Sequence, residues 1–571
     1  MKTVSLRSIF VGVVFAACLF VPVDASAHAQ LEQTSPLRGA VLKQAPSQVE
    51  FRFGEPVEAA FGAVRVFDSQ ARRVDSGVIV RSHGAESIGV KLRTGLPDGA
   101  YTATYRVISA DSHPVSGGFV FSVGKATVAP AASVANLVQR GNAGKVTQAG
   151  FWTMRFVGYL ALAVAIGALM FWLLAMRDAP FVAVNAFTVR AGRLVGLAIA
   201  AGVVASACDL VFQGAVAAGE SFWQALSPAV VNDVVGTRSG GWMFARLTLW
   251  GCAAIVWLAF AARRNRPLAK RAVFVVLALL TLAAATPGLA GHAGVTAPRW
   301  LMIPSDWVHV LAMAIWAGGL VAAVFALPAA TQALDPAARG GLLVGALGRF
   351  SPVALACVTA LLVTGVAQSV IHLSAFDQLW STAFGRAISI KVGLFAVLIG
   401  YGACNRFRLL PQLRAREAAG QSPGAAGVTI KRSLVTEVAL ASLTIAVASA
   451  LVVYPPSASV ASGPFNATTT IGPVEMQITV DPARVGANQV HLYLTNPKTG
   501  ALYTRTKELQ ISSTLPKAGI GPIDFDARRA GPGHYVVGDA IFGAKGNWRL
   551  RIELRVSEFD QFERSLQVPI N

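Results

Sequence analysis

The chain reads as a multidomain protein in which an all-β sandwich is followed by an α-helical membrane bundle of eight spans and then by a second all-β domain. Three observations predict that order. The 571 residues are 54% hydrophobic and only 14% charged, with a mean hydropathy of +0.55, which is too apolar for a soluble protein and too long for a single domain. Between Phe151 and Pro455 lie eight apolar stretches, each near the roughly 20 residues that a bilayer crossing needs. Before and after them, apolar and polar residues alternate with the period of half-buried strands.

Residues 1–27 have the layout of a secretory signal, with Lys2 and Arg7 ahead of an apolar run from Ile9 to Val21 and Ala25-Ser26-Ala27 as the cleavage site. Cleavage there makes His28 the amino terminus. A lipoprotein signal around Cys18 fits poorly, because Phe15 stands where such signals want a small aliphatic residue. Residues 28–124 alternate in Val49–Phe53, Ala63–Phe67 and Tyr101–Val107, with turn signals such as Pro97-Asp98-Gly99 between, and about seven short strands make a sandwich. Residues 125–150, rich in Ala, Val, Gly and Thr, read as a linker.

The membrane domain is expected over 151–456, with spans near 151–176, 191–217, 242–261, 272–291, 306–328, 350–373, 386–405 and 435–454. Basic residues crowd two of its loops: Arg263, Arg264, Arg266, Lys270 and Arg271 in one, Arg406, Arg408, Arg414, Arg416, Lys431 and Arg432 in the other. Both loops follow odd-numbered spans, so the positive-inside rule makes them cytoplasmic and leaves both β-domains outside, on the periplasmic side of a bacterial inner membrane. The same placement accounts for the net charge of +20 without nucleic acid, since the basic residues form no patch with interleaved aromatics. Residues 457–571 alternate in Val474–Val480 and Trp548–Leu554 and read as the second exported β-domain. Cys208, Cys252, Cys357 and Cys404 all fall in apolar spans, where they read as packing residues in place of a thiolate ladder, and no disulfide is expected in the exported parts.

Metal-ligating side chains recur in two places. An amino-terminal His28 offers its α-amine and its Nδ1 to one ion as a chelate, a donor pair that suits Cu(II) or Ni(II), and Asp111 and His113 would complete a tetragonal N/O set. The bland alternative is an accident of processing beside a commonplace Asp-x-His. In the spans, His292, His309 and His372 all fall at the outer side under this topology, and Asp306, His309, Met313 and Trp316 share one helical face. Imidazole beside thioether suits copper on its way inward, whereas single histidines at a membrane end also serve as interfacial anchors. Lys391 is expected to snorkel outward, and Glu437 either to neutralise Arg406 or to act as an exit ligand. Ala317-Gly318-Gly319 and Gly365 mark close helix contacts.

At these residues the chain resembles a known family. His28, Ser35-Pro36, Phe53-Gly54-Glu55-Pro56-Val57 and Ser109-Ala110-Asp111-Ser112-His113-Pro114-Val115-Ser116-Gly117 resemble the copper-binding CopC domain along its whole length. His309 with Trp316-Ala317-Gly318-Gly319-Leu320, Phe350-Ser351, Thr364-Gly365, the run from Thr382 through Gly385-Arg386 to Lys391, Asn405-Arg406, Glu437 and Pro455-Pro456 are similar to the CopD family of copper resistance and uptake proteins. Residues 28–456 thus look like a CopC–CopD fusion; the C-terminal domain looks like an appendage of some such fusions, to which no function carries over.

The resemblance implies an immunoglobulin- or cupredoxin-like sandwich that holds Cu(II) at His28, Asp111 and His113. It also implies a role in copper acquisition and homeostasis without enzymatic activity. Copper, as Cu(II) outside and Cu(I) in the membrane domain, would pass inward, with the lipid bilayer and periplasmic or cytoplasmic copper chaperones as further partners. One departure stands out: from His28 to Thr153 there is neither Met nor Cys, so soft Cu(I) finds no preferred ligand in the sandwich, and His83 reads as an exposed loop residue. No ATP-binding loop is visible, which leaves gradient, exchange or cytoplasmic chelation to drive passage. Two other readings remain open: a haem held axially by pairs among His292, His309 and His372 in an electron-transfer protein, and a periplasmic copper buffer that transports nothing.

Overall fold

A computed structural model describes residues 31–570 apart from 38–39, 59–62, 111–113, 125–142, 262–269, 337, 374–375, 377, 382, 452–464, 482 and 498–501. It divides into a helical unit and a β-rich unit.

The N-terminal part of the β-rich unit is the expected sandwich. Its strands are β1 (Leu31–Ser35), β2 (Val41–Leu42), β3 (Gln48–Phe53), β4 (Val57–Glu58), β5 (Val64–Phe67), β6 (Asp75–Val80), β7 (Ser87–Leu92), β8 (Gly99–Ser109) and β9 (Pro114–Val123). One sheet has the order β1-β3-β7-β6; the other runs β2-β9-β8-β4, with β5 also paired to β8. The alternation in the sequence explains the layering. Val49, Phe51 and Phe53 on β3 are fully buried and meet Tyr105 and Phe119 of the facing sheet, with the Phe51 ring 4.9 Å from that of Tyr105 and 5.4 Å from that of Phe119. Each such side chain contributes about 1.5–3 kcal/mol by leaving water. Outside this core, His83 is exposed, as expected, with Nδ1 3.4 Å from Glu50 Oε1.

Among the described residues eight helices are long and apolar enough to cross a membrane. They are α1 (Gly144–Ala175), α2 (Phe181–Ala218), α3 (Arg238–Ala261), α4 (Lys270–Ala283, which continues through a short break into the helix Thr286–Ala290 to make one span, Lys270–Ala290), α5 (Arg299–Phe325), α6 (Arg339–His372), α7 (Ala383–Cys404) and α8 (Gly424–Leu451). All eight expected spans fall on them, but most helices extend beyond the apolar stretch that marked them. α1 begins at Gly144, inside the stretch expected as linker, because nothing between Lys145 and Gly150 breaks a helix and Gly144 itself takes the left-handed φ of +77° that ends it. α5 begins at Arg299, two turns before the apolar run, since helix formation continues where hydropathy falls. α5 packs closely on two sides: a Cβ on Gly318 would lie 1.7 Å from the Ala163 carbonyl oxygen of α1, and one on Gly319 would lie 2.3 Å from the Phe350 ring of α6. The small residues singled out in the sequence are thus contact points, as membrane helices require. Cys208, Cys252, Cys357 and Cys404, the cysteines among the described residues, are free, from exposed Cys252 to buried Cys357.

The second β-domain is also a two-sheet structure. Its strands are β10 (Phe465–Ile471), β11 (Val474–Asp481), β12 (Gly486–Thr495), β13 (Glu508–Leu515), β14 (Ile520–Phe525), β15 (Arg528–Gly531), β16 (His534–Phe542), β17 (Gly546–Arg555) and β18 (Gln561–Ile570), ordered β10-β11-β12-β16-β15 and β14-β13-β17-β18. Val474, Met476, Ile478 and Val480 from one sheet and Trp548, Leu550, Ile552 and Leu554 from the other fill its core.

Candidate metal centres

His28, Asp111 and His113 lie outside the described residues, but the strands that carry the chain to them are described. Leu31, just downstream of His28, pairs with Phe53 at the end of β3. Val57, which opens β4, pairs with Ser109 at the end of β8. Phe53 and Val57 are four residues apart, a reach of at most ~14 Å. The start of β1 and the end of β8 are therefore tied to the same crossing between sheets. Ile108 of β8 pairs with Pro114 of β9, and Asp111 and His113 fall in sequence between those two strands. Glu55, within the crossing, accepts a 3.4 Å hydrogen bond from the Ala110 amide. A Cβ on Gly54 would lie 2.8 Å from Glu32 Oε1 at the end of a flexible side chain.

Away from that end, Asp75 anchors the turn into β6. Its buried carboxylate accepts hydrogen bonds from the Val66 amide at 2.9 Å, the Gly77 amide at 3.0 Å and Arg73 at 2.9 Å. Burial pushes its pKa up, but Arg73 and the amides outweigh that and hold it below the usual carboxylate value.

In the helical unit the three imidazoles do not form one cluster. His292 opens a short 3₁₀ turn, His292–Gly294, just after the helix Thr286–Ala290. Arg238 at the start of α3 holds this turn in place by donating to the carbonyls of Leu289 at 2.6 Å and Ala290 at 3.2 Å. His372 ends α6, and its ring centroid is 5.8 Å from that of His292 at an interplanar angle of 63°. Its Nδ1 is 2.8 Å from the Gln368 carbonyl oxygen, which only accepts, so Nδ1 carries the proton and Nε2 the lone pair. His309 faces Thr364, two helical turns back along α6 from His372, roughly 12 Å. The expectation of one outer trio placed His309 one turn into its span. Because α5 starts at Arg299, His309 lies nearly three turns in and is separated from the pair.

The tautomer of His309 follows from its partners. The Thr364 hydroxyl donates to the Ala360 carbonyl at 2.6 Å, so it accepts from His309 Nδ1–H at 2.8 Å. The Nε2 lone pair is left pointing toward Lys391 Nζ of α7, 3.5 Å away. Lys391 thus does not snorkel outward as expected; it turns inward to a partner on another helix. Met313 is partly buried one turn beyond His309, and Trp316 packs edge-on against Phe395, one turn beyond Lys391. The face from His309 to Trp316 therefore meets α7. Asp306 packs against Gly288, where a Cβ would lie 2.4 Å from Oδ2. Among the described residues no three His, Cys, Asp or Glu side chains converge on a metal position.

Other polar groups in the spans are pinned to protein partners. Glu437, 2% exposed, accepts from the Asn405 side chain, while Arg406 donates to Ser351 Oγ at 2.5 Å; the expected Glu437–Arg406 neutralisation is replaced by these two contacts. Sequence reading missed a buried carboxylate, Asp209 of α2, which pairs with Arg246 of α3 and lies 3.5 Å from Arg155 of α1. The signal was present, since a lone aspartate in an apolar span requires a partner.

Comparison with known proteins assigns three segments. Residues 31–124 match the CopC domain, residues 146–297 the copper resistance protein D-like N-terminal domain, and residues 344–451 copper resistance protein D. The chain is 28% identical over 565 residues to the copper transport protein CutJ of Bacillus subtilis (strain 168), covering 95% of this chain and 96% of that one. It is 30% identical over 115 residues to copper resistance protein C of Pseudomonas syringae pv. tomato, covering 19% of this chain and 90% of that protein. The crystal structure of CopC from Methylosinus trichosporium OB3b is 29% identical over 17% of this chain and 93% of its own, with a TM-score of 0.16.

Proposed function

We propose that this chain, which belongs to the copper resistance family as a CopC domain joined to CopD-type membrane domains, acquires copper by capturing Cu(II) outside the cell membrane and passing it inward. The observation that carries this reading is the joining of the two parts. A CopC sandwich and an eight-helix CopD portion share one polypeptide that matches a copper transport protein nearly end to end.

Capture is assigned to residues 28–124, processed so that His28 is the amino terminus. Its α-amine and Nδ1 chelate the ion, and Asp111 and His113 complete the set. The strand registers support this, because they tie the start of β1 and the β8–β9 connection to one crossing. A sandwich without Met or Cys favours the harder oxidation state. Passage is assigned to the helical unit, with 457–571 as a further exported domain and both β-domains on the periplasmic side of the inner membrane. His292 and His372 make an outer pair, His309 a deeper station, and Met313 the next donor. For Nε2 of His309 to take copper, the Lys391 ammonium has to move aside. The test is copper accumulation by cells that carry the wild-type chain, a His309→Ala chain or none. Import predicts accumulation with wild type alone and unchanged Cu(II) binding by the purified variant. Equal accumulation in all three strains would leave a buffering role instead.

A further inference from the structure

The C-terminal β-domain holds a second histidine pair, and its geometry is specific. On β12, Val490, Leu492 and Leu494 point into the core, as do Tyr535 and Val537 on the neighbouring β16. Strand side chains alternate, so His491, Tyr493 and His534 face the other way. Tyr493 is directly opposite His534, and His491 opposite Val536, which makes the two histidines diagonal neighbours across adjacent strands. His491 Nδ1 lies 3.3 Å from His534 Nε2, and the ring planes are only 20° apart with centroids at 5.6 Å. That separation is no more than the N···N distance plus two ring radii, so the two nitrogens face each other head-on. Both residues are 6% exposed, and the Tyr493 ring lies flat on that of His534 at 4.2 Å. In the apo state one of the two nitrogens carries a hydrogen and the other accepts it.

We propose that His491 and His534 bind a single Cu(I) ion between Nδ1 and Nε2, in place of the shared hydrogen. Two features select the ion. Cu(II) seeks a tetragonal set of donors, and among the described residues no third His, Cys, Asp or Glu converges on this pair. A closed-shell d¹⁰ ion imposes no geometry of its own and accepts two imidazoles. Metal–nitrogen bonds of about 2.0 Å in line would set the nitrogens about 4 Å apart. Opening the observed 3.3 Å by that amount needs only a small rotation of either ring about its χ2, a soft torsion. Protons balance without release: the ring that donated in the apo state shifts its hydrogen to its other nitrogen, and each imidazole stays neutral. This places a Cu(I) site on a domain separate from the Cu(II)-selective sandwich.

The experiment uses the full chain, purified in detergent under anaerobic conditions and titrated with Cu(I) against a chromophoric chelator. His491→Gln and His534→Gln should each bind one equivalent fewer than wild type, the double variant should lose no more than either, and Tyr493→Phe, which keeps both imidazoles, should lose none. Hydrogen–deuterium exchange on the unmodified protein supplies a readout independent of variant folding. Cu(I) should slow exchange several-fold in peptides covering 486–495 and 534–542. Unchanged stoichiometry in both histidine variants, or exchange in those strands indifferent to Cu(I), overturns the assignment. Neither measurement reads transport, so failure of the uptake reading leaves this result standing and the converse holds as well.

Discussion

Thr364→Val is the sharpest probe of the deeper station, because it leaves His309 in place and removes only what orients it. The Thr364 hydroxyl spends its one hydrogen on the Ala360 carbonyl and receives the His309 Nδ1–H at 2.8 Å. Valine keeps the shape and strands that N–H inside the bundle. An unpaired buried donor costs about 1–3 kcal/mol, which favours the other tautomer or a turned ring by a factor of roughly 5–150. In either alternative Nε2 no longer offers its lone pair along α7. If His309 receives copper through Nε2, copper accumulation by cells carrying Thr364→Val should fall by that factor at equal membrane expression, and Thr364→Ser should restore it. The assay is metal content per cell against immunoblotted protein. Wild-type accumulation by Thr364→Val alongside a dead His309→Ala would refute the orientation argument. An equal loss from Thr364→Ser would assign the effect to packing.

Three further outcomes are expected. If the proposed His28 chelate holds Cu(II), one extra residue before a processed His28 removes it, so Cu(II) affinity measured by competition titration of the full chain should drop by several kcal/mol, on the order of two coordinate bonds exchanged for water. Gly318→Val inserts atoms where even a Cβ would sit 1.7 Å from the Ala163 carbonyl oxygen. Separating α1 from α5 should cost at least the ~1–3 kcal/mol of ordinary overpacking and lower the melting temperature in detergent, while Gly393→Ala, with open space around it, should not. Asp75 titrates below its ordinary value of 3.8 in the folded sandwich, so its contribution is complete above that pH and is lost as pH falls through the folded pKa. Acid unfolding followed by tryptophan-independent circular dichroism should therefore show a sandwich transition below about pH 4 that Asp75→Asn, already destabilised by about 1–3 kcal/mol at neutral pH, largely lacks.

Much of the fold was legible because its signals are local. Alternation in Val49–Phe53 and Trp548–Leu554 encodes strands with one buried face, and apolar runs encode the spans. Boundaries were less legible, since hydropathy reports where lipid is, not where a helix starts. That difference moved His309 from the outer end of its span to a level two turns from His372. Partners were least legible. The inward turn of Lys391 and the Asn405–Glu437 contact depend on which helices become neighbours, and nothing in either helix alone states that. The His491–His534 pair shares this property: each histidine is unremarkable in its own strand, and only the register of β12 with β16 brings the nitrogens together.

The strengths of the buried polar contacts separate scaffold from candidate pathway. Asp209 between two arginines is a charge-assisted contact, the stronger class of hydrogen bond, and removing its partners leaves a buried charge without compensation at a cost of about 3–5 kcal/mol, while Glu437 is held by the Asn405 amide. Such groups hold helices together and are poorly suited to exchanging partners with a passing ion. His309 is different. Its Thr364 side is a short, fully used hydrogen-bond chain, while its Nε2 side is a 3.5 Å approach to a cation on a long flexible stem. One face of the ring is fixed and the other is held only at the 3.5 Å limit of a hydrogen bond, the combination that suits an ion station: a ligand already oriented, and a resident partner at long range. Of the two nitrogens of His309, Nε2 is thus the one at which an arriving ion would displace least.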